Sequence, residues 1–106
     1  MVSRIVSFTV QPSRVNAFRN AINKECLPRI QALPGFVENI ESLDPETGKF
    51  CCVTVWQTPE DEQRYANGVF QEVARAITPL LQDGPTIATL PVENSSVHHI
   101  EAAALA

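Results

Sequence analysis

The chain has 106 residues, of which 44% are hydrophobic and 19% are charged, and its formal net charge is −4. This length and composition predict one globular domain with its own core. Eight basic residues in an acidic chain exclude an extended nucleic-acid surface. The amino-terminal residues alternate in hydrophobicity and are interrupted by Arg4, which is not typical of a signal peptide or a membrane span. We therefore expect a cytoplasmic protein with reduced cysteines.

The first predicted elements are a strand and a long helix. Alternate residues of the strand form one apolar face, and Gln11-Pro12 ends it. The residues of that face are Val2, Val6, Phe8 and Val10. From about Ser13 apolar residues recur at spacings of three and four, which predicts an amphipathic helix up to Leu33. Pro28 lies within this apolar stripe, so a kink is expected there because proline removes one helical donor.

A β-hairpin follows, with strands predicted over 36–43 and 49–57. The segment Asp44-Pro-Glu-Thr-Gly-Lys49 has turn chemistry, with a glycine that can adopt positive φ near its end. After the second of these strands, Thr58 is a helix N-cap candidate, and Pro59 suits the first helical position.

The remaining chain predicts two short helices and a fourth strand. Asn67-Gly68 divides the helical region into 59–66 and 69–82, since this pair is a natural C-cap. Asp83-Gly-Pro85 predicts a turn and 86–92 a strand. Residues 93–106 are expected to form a loose tail with a last helical turn near Glu101, and a solvated tail is the favoured position for His98 and His99.

The order of these elements is βαββαβ. Right-handed crossovers would place the first and third strands in the centre of an antiparallel sheet, with both helices on one face. This arrangement is a ferredoxin-like α+β sandwich covering residues 1–92. The third strand is apolar on both faces, so the open sheet face needs a cover. A second copy of the sheet would provide it, which predicts a homodimer that closes into an α/β barrel.

The hairpin turn also predicts which side chains face each other. If Asp44 pairs with Lys49, four cross-strand pairs follow. They are Leu43 with Phe50, Glu41 with Cys52, Asn39 with Thr54, and Val37 with Trp56. We expect these residues on the sheet face remote from the helices, and Phe36, Ile40, Val53 and Val55 beneath the helices.

The remote face would combine aromatic ends with a polar middle, and Ser7 of the first strand is expected to point into the same space. Apolar walls with a few polar groups are typical of a small-molecule pocket. A hydrated dimer interface is an alternative interpretation of this face, and Trp56 could instead fill the core.

The sequence resembles the antibiotic biosynthesis monooxygenase family of the dimeric α/β-barrel superfamily in three features. They are Leu33-Pro-Gly-Phe36, Val55-Trp-Gln-Thr-Pro-Glu-Asp61 and Tyr65, within a similarity that spans about residues 3–92. The resemblance implies cofactor-free oxygenation of polyketide anthrones or quinols. Anthrone oxygenases of the family have asparagine at the position of Cys52. Haem-degrading relatives have histidine at the position of Ala66, so haem degradation is not expected.

The resemblance implies roles for individual residues. Trp56 and Phe50 would stack on a planar substrate, Asn39 would donate to a developing oxyanion, and Tyr65 or Thr54 would bind a hydroxyl group. Glu41 is the candidate base, although a solvated strand carboxylate is an alternative. The full substrate-binding set is Phe50, Cys52, Thr54, Tyr65, Val37 and Ser7, beside the catalytic set Trp56, Asn39 and Glu41.

No metal or nucleotide site is predicted, because the chain has neither zinc-ligand spacing nor a glycine-rich loop. The leading functional hypothesis is a small dimeric, cofactor-independent monooxygenase acting on an aromatic, quinol or polyketide-like substrate. Two alternatives stay open: a non-catalytic dimeric module that binds an apolar small molecule, and a polyketide cyclase or isomerase.

Overall fold

The computed structural model describes residues 1–100 as an antiparallel sheet covered on one face by helices. The four strands are β1 (Val2–Val10), β2 (Phe36–Leu43), β3 (Lys49–Trp56) and β4 (Leu81–Pro91). The helices are α1 (Val15–Ala21), α2 (Leu27–Gln31), α3 (Pro59–Asn67) and α4 (Val69–Ile77). The strand order is β2-β3-β1-β4, so β1 and β3 are central, as predicted for a ferredoxin-like α+β sandwich.

The first helical region is continuous but irregular. A 3-10 turn (Pro12–Arg14) precedes α1, and a π-helical segment (Ile22–Cys26) joins α1 to α2. Pro28 lies just beyond that segment and cannot donate the backbone hydrogen bond that an α-helix would direct to Lys24. The irregularity predicted at Pro28 is therefore present as a widened turn. Both Ile22 and Cys26 remain buried against the sheet.

The start of α3 follows the predicted capping chemistry. Thr58 is the N-cap, and its Oγ1 accepts a hydrogen bond from the backbone N–H of Asp61 at 3.1 Å. Gly68 ends α3 and precedes α4, so the predicted division of the second helical region is confirmed. The second piece is shorter than predicted, because α4 ends at Ile77 and a 3-10 turn (Thr78–Leu80) containing Pro79 follows it.

Strand β4 is longer than predicted and contains the segment that resembled a turn. It begins at Leu81, which pairs with Val10, whereas the predicted strand began at residue 86. Two register shifts between Ser7 and Val10 accommodate the additional residues of β4. Gly84 has φ +99°, and a Cβ there would lie 2.7 Å from the Phe8 Cβ, so glycine permits this close approach. The turn-like segment Asp83-Gly-Pro85 therefore forms an irregular part of β4 and not a turn before it.

The predicted hairpin register is confirmed for most of its length. Leu43 faces Phe50, Glu41 faces Cys52, and Asn39 faces Thr54. The backbone N–H of Asp44 donates to the Lys49 carbonyl at 2.9 Å, which closes the predicted turn. The exception is at the far end, where a bulge at Val37 places Phe36 opposite Trp56.

The predicted orientation of the hairpin is wrong except at Phe36, which lies on the helix-covered face as predicted and packs against Trp56. Phe50, Cys52, Thr54 and Trp56 face the helices, together with Asn39 and Glu41, and Ile40, Val53 and Val55 occupy the remote face. The pairing of β1 with β3 explains the outcome, because Phe8 lies opposite Phe50 and both rings pack on Phe18 of α1. More apolar surface is removed from water when the larger aromatic rings, rather than the valines, lie under the helices.

The remote sheet face, which we call the outer face, is partly covered by the carboxyl-terminal residues 92–100. The His98 Nε2 lies 3.1 Å from the Glu38 carboxylate, and an isolated bridge joins Ser95 to Ile100. His98 is therefore docked on the sheet, unlike the solvated tail predicted for it, while His99 is exposed. The predicted helical turn after Glu101 lies outside the described residues. Within residues 1–100, no helix is long and apolar enough to cross a membrane.

Candidate functional site

A cavity of about 60 Å³ lies between the sheet and the helices. Its walls are mostly aromatic and aliphatic, and they come from β1, β3 and the helices. The aromatic rings that line it are Phe8, Phe50, Tyr65 and Phe70. Polar side chains reach its wall from the hairpin, namely Glu41 and Cys52. We call this space the inner cavity. An apolar space with a few polar groups is typical of a small-molecule site.

Four of the predicted site residues meet at the inner cavity: Glu41, Phe50, Cys52 and Tyr65. They meet beneath the helices, however, whereas the sequence placed the pocket on the outer face. Ser7 lies on the outer face, where it lines an exposed depression with Thr9 and Lys49. Val37 lies in the β2 bulge and does not face Trp56. The structure therefore separates Ser7 and Val37 from the other predicted residues.

A hydrogen-bond chain connects three hairpin residues at the cavity wall. The Cys52 thiol donates to the Asn39 Oδ1, with 3.0 Å between the sulfur and oxygen atoms. The Asn39 side chain in turn hydrogen-bonds the Glu41 carboxylate. Because Asn39 accepts from one neighbour and donates to the other, its amide is held in one orientation. Asn39 is therefore occupied by its two neighbours.

Burial changes the acidity of the groups around this chain. Desolvation raises the pKa of Glu41 above its usual range, although the hydrogen bond from Asn39 opposes the shift. Desolvation, reinforced by the nearby Glu41 charge, raises the pKa of Cys52 to about 12. Desolvation likewise raises the pKa of Tyr65. Cys52 and Tyr65 therefore stay protonated as hydrogen-bond donors at neutral pH, while Glu41 is the group that can accept a proton.

Trp56 lies in the core, behind the Tyr65 ring that lines the cavity. Its side chain is 0% exposed, which confirms the interpretation that this ring fills the core. The indole stacks on Tyr65, with ring centroids 4.8 Å apart, and its Nε1–H donates to the Thr54 Oγ1 at 3.0 Å. Thr54 is thereby committed to Trp56 and is itself buried. Trp56 and Thr54 thus position Tyr65 from within the core.

A second cleft, of about 230 Å³, opens beside the inner cavity between α1 and the hairpin. We call it the outer cleft. The two spaces share three lining residues: Ile22, Glu41 and Phe50. Arg19 and Asn23 line only the outer cleft. Glu41 therefore stands at the junction between an apolar interior and a polar entrance.

The sequence analysis missed a buried ion pair next to this site. The Arg4 Nη1 donates to the Glu62 Oε1 at 3.3 Å, both residues are buried, and Thr89 donates to the same oxygen at 3.0 Å. The Arg4 guanidinium also lies over the Phe70 ring, 4.2 Å from its centroid. A charged residue between Val2 and Val6 on an otherwise apolar strand face was the available signal.

A larger and more open cleft, of about 410 Å³, lies on the outer face between the sheet and residues 92–98. Its walls include Glu38, His98, Val53 and Val55. It contains none of the residues that the resemblance singles out for catalysis. Among residues 1–100, no three His, Cys, Asp or Glu side chains are grouped so that they could hold a metal ion. The inner cavity and outer cleft are therefore the candidate site.

The fold has many counterparts among solved structures. The monooxygenase from the gene ActVA-Orf6 of Streptomyces coelicolor, in complex with the ligand nanaomycin D, matches with a TM-score of 0.73 and 15% identity over 89% of this chain and 88% of that one. A candidate antibiotic biosynthesis monooxygenase from Bordetella bronchiseptica matches with a TM-score of 0.68 and 18% identity, over 86% and 95% of the two chains. The fold is that of the antibiotic biosynthesis monooxygenases.

The same fold also occurs in a Nitrosomonas europaea protein of unknown function, with a TM-score of 0.76 and 16% identity over 90% of this chain and 91% of that one. No protein-family model matches the sequence, and no curated protein matches it. The likeness at these identities establishes the three-dimensional arrangement of the chain. Its chemistry has to be argued from its own residues.

Proposed function

We propose that this protein is a cofactor-independent monooxygenase that acts on an aromatic, quinol-like substrate in the inner cavity. The observation that carries the proposal is the position of Glu41, a carboxylate in the wall of an aromatic cavity with a pKa raised by burial. A base in such a place can remove a proton from a phenolic hydroxyl or from an activated C–H group. The shared fold of the Streptomyces coelicolor monooxygenase supports the same reaction class.

The chemistry follows from an electron-rich substrate anion. Glu41 takes one proton, and the substrate carbanion or phenolate then reduces dioxygen and forms a carbon–oxygen bond. Protonation of the terminal oxygen gives a hydroperoxide. At a carbon that still carries hydrogen, loss of that hydrogen as a proton and cleavage of the O–O bond give a carbonyl group and water. One oxygen atom enters the substrate, and the other leaves in water.

The cavity supplies the conditions that this reaction requires. Apolar walls exclude bulk water from the anion, and the rings of Phe8 and Phe50, which are stacked with centroids 4.7 Å apart, present an aromatic surface. The hydroxyl of Tyr65 stays protonated and can donate to the developing peroxide oxygen. Asn39 acts as a positioning residue for Glu41, because both of its polar ends already have partners.

The proposed enzyme is a homodimer joined through the outer face. Ile40 and Leu90 are large apolar side chains that are 52% and 54% exposed on that face, one on each edge strand of the sheet. A second copy of the sheet would cover them and give the barrel that the resemblance implies. The inner cavity would then lie within each protomer, on the opposite side of the sheet from the interface.

Oxygen uptake tests the proposal. Purified protein is mixed with a series of one-ring to three-ring quinols and anthrones without added metal or cofactor, and dioxygen consumption is recorded against the rate of autoxidation. Glu41→Gln should lower turnover by about 100-fold to 10,000-fold, the usual contribution of a general base. Glu46→Gln, in the exposed hairpin turn, is the matched control and should retain full turnover.

Two other functions remain distinguishable by the same experiment. The occupied Asn39 amide favours a non-catalytic binding module, because it leaves fewer free donors for an oxyanion. Saturable binding of quinols without oxygen consumption would support that alternative. Conversion of a polyketide chain to a cyclised or isomerised product of unchanged composition, again without oxygen consumption, would support a cyclase or isomerase.

A further inference from the structure

The inner cavity is too small to hold a whole aromatic ligand. Its volume of about 60 Å³ is less than half of the roughly 150 Å³ cavity that is known to bind benzene, and it is far below the roughly 300–1,000 Å³ of drug-sized sites. A ring can therefore enter it only by one edge, and the rest of the molecule must lie elsewhere. The outer cleft, of about 230 Å³, is the adjacent space, since both are bounded by Ile22, Glu41 and Phe50.

The two spaces differ in polarity. Side chains that line only the inner cavity are apolar or aromatic for the most part, whereas Arg19 and Asn23 stand at the wall of the outer cleft. The Arg19 guanidinium has a weak hydrogen bond to Asn16 at 3.5 Å and makes no ion pair within residues 1–100. An exposed guanidinium with open donors at the wall of a cleft suits a carboxylate or another planar anion.

Charge in the outer cleft is set by two groups. Arg19 is positive, and Glu41 is negative when ionised; Asn23 and the remaining lining residues Phe18, Ile22, Leu43 and Phe50 are uncharged. A ligand anion placed next to Glu41 alone would be repelled. A ligand anion at Arg19 with an apolar ring between it and Glu41 avoids that repulsion and leaves Glu41 beside the ring hydroxyl.

From this arrangement we propose that the ligand is a phenolic or quinol ring with an anionic side chain, and that it straddles Glu41. The hydroxyl-bearing edge of the ring enters the inner cavity, and the anionic group binds Arg19 in the outer cleft. The inference rests on the proposed function for the position of the ring. It adds the anionic group, the residue that selects it, and the direction from which the substrate enters.

Calorimetric titration tests the selection of an anion without requiring turnover. The probes are 3-(4-hydroxyphenyl)propanoate and its amide, which differ in charge and have nearly the same shape. The wild-type protein should bind the acid about tenfold more tightly than the amide, as expected for a hydrogen bond to a charged group. Arg19→Gln should remove this preference, and Arg14→Gln, an equal charge change earlier in the same helical region, should keep it.

A second variant tests where the ring binds. Ala74 lines the inner cavity and not the outer cleft, so Ala74→Leu should weaken the acid, the amide and phenol by a similar factor. Thermal unfolding would verify that each variant is folded. Equal affinity of the wild-type protein for acid and amide, an equal effect of Arg14→Gln and Arg19→Gln, or unchanged affinities in folded Ala74→Leu would each overturn the inference.

The binding titration and the oxygen-uptake experiment can fail independently of each other. Acid selectivity that depends on Arg19, together with no oxygen consumption by any quinol, would remove the proposed reaction and leave the binding mode standing. Oxygen consumption that depends on Glu41, without acid selectivity, would leave the reaction standing and remove the anionic side chain.

Discussion

The rings of Trp56 and Tyr65 are stacked with their planes 24° apart, and only Tyr65 reaches the inner cavity. Trp56 therefore acts on the site through the ring in front of it. Since the chain has one tryptophan, its fluorescence also reports on this wall of the cavity.

Trp56→Ala should lower the free energy of unfolding by about 3–5 kcal/mol, because it removes a fully buried ring. Thr54→Val should cost about 1–3 kcal/mol, since it keeps the volume and leaves the buried indole N–H without its acceptor. Urea unfolding followed by far-ultraviolet circular dichroism measures both. Thr86→Val, at an exposed position of β4, is the control. A Thr54→Val protein as stable as this control would mean that the indole hydrogen bond contributes nothing.

The free energy of unfolding should fall when one partner of the Arg4–Glu62 pair is replaced, and it should largely recover when both are replaced. Glu62→Leu should cost about 3–5 kcal/mol, because it leaves a buried guanidinium without its counter-charge. Arg4→Met combined with Glu62→Leu should recover most of that loss. Urea unfolding of the two single variants and the double variant gives the coupling energy. Strictly additive losses would show that the two charges do not depend on each other.

The sequence determined the order of elements and most of the hairpin register, because both depend on local signals. Asp44 and Gly48 specify the turn. The turn sets the register of the hairpin, in which Glu41 faces Cys52. The face of the sheet that the helices cover is not a local property. β3 is apolar on both sides, so alternation alone does not distinguish Val53 from Cys52. The choice is made by Phe18 of α1, which packs against both Phe8 and Phe50.

The candidate site was predictable to the same extent. Glu41, Phe50, Cys52 and Tyr65 were identified from residue type and resemblance, and their shared cavity follows once the helices are placed on the correct face. Val37 could not be assigned, because a β-bulge inserts one residue without a glycine to mark it. The position of Arg19 at the outer cleft depends on how α1 packs beside the hairpin, which periodicity does not reveal.

The raised pKa of Glu41 makes a prediction about stability and pH. A carboxyl whose pKa is higher in the folded state than in the unfolded state binds its proton more tightly when folded, so its stabilising contribution is present below the unfolded pKa and is lost as pH rises through the folded pKa. Relative to Glu41→Gln, the wild-type protein should therefore lose stability from about pH 4.5 upward. Urea unfolding between pH 4 and pH 8, with Glu46→Gln as control, measures the difference. A constant difference across this range would contradict the prediction.

The exposed apolar residues of the outer face predict a dimer at micromolar concentration. Multi-angle light scattering should give twice the mass of the 11.7 kDa chain. Ile40→Glu should shift the protein to the monomer, because dimerisation through the outer face would then bury a charge. Gln71→Glu, on the exposed surface of α4, should remain dimeric. A monomeric wild-type protein would remove the barrel from the proposal and leave the inner cavity unaffected.

The π-helical segment Ile22–Cys26 holds one more residue than the α-helical turn it replaces, so it sets the rotation of α1 relative to α2. Deleting one residue of this stretch would rotate everything before it by about 100° relative to α2. Phe18 and Arg19 would then leave their positions together, one from the core and one from the cleft. A one-residue deletion in this stretch is therefore expected to disturb the core and the outer cleft at the same time.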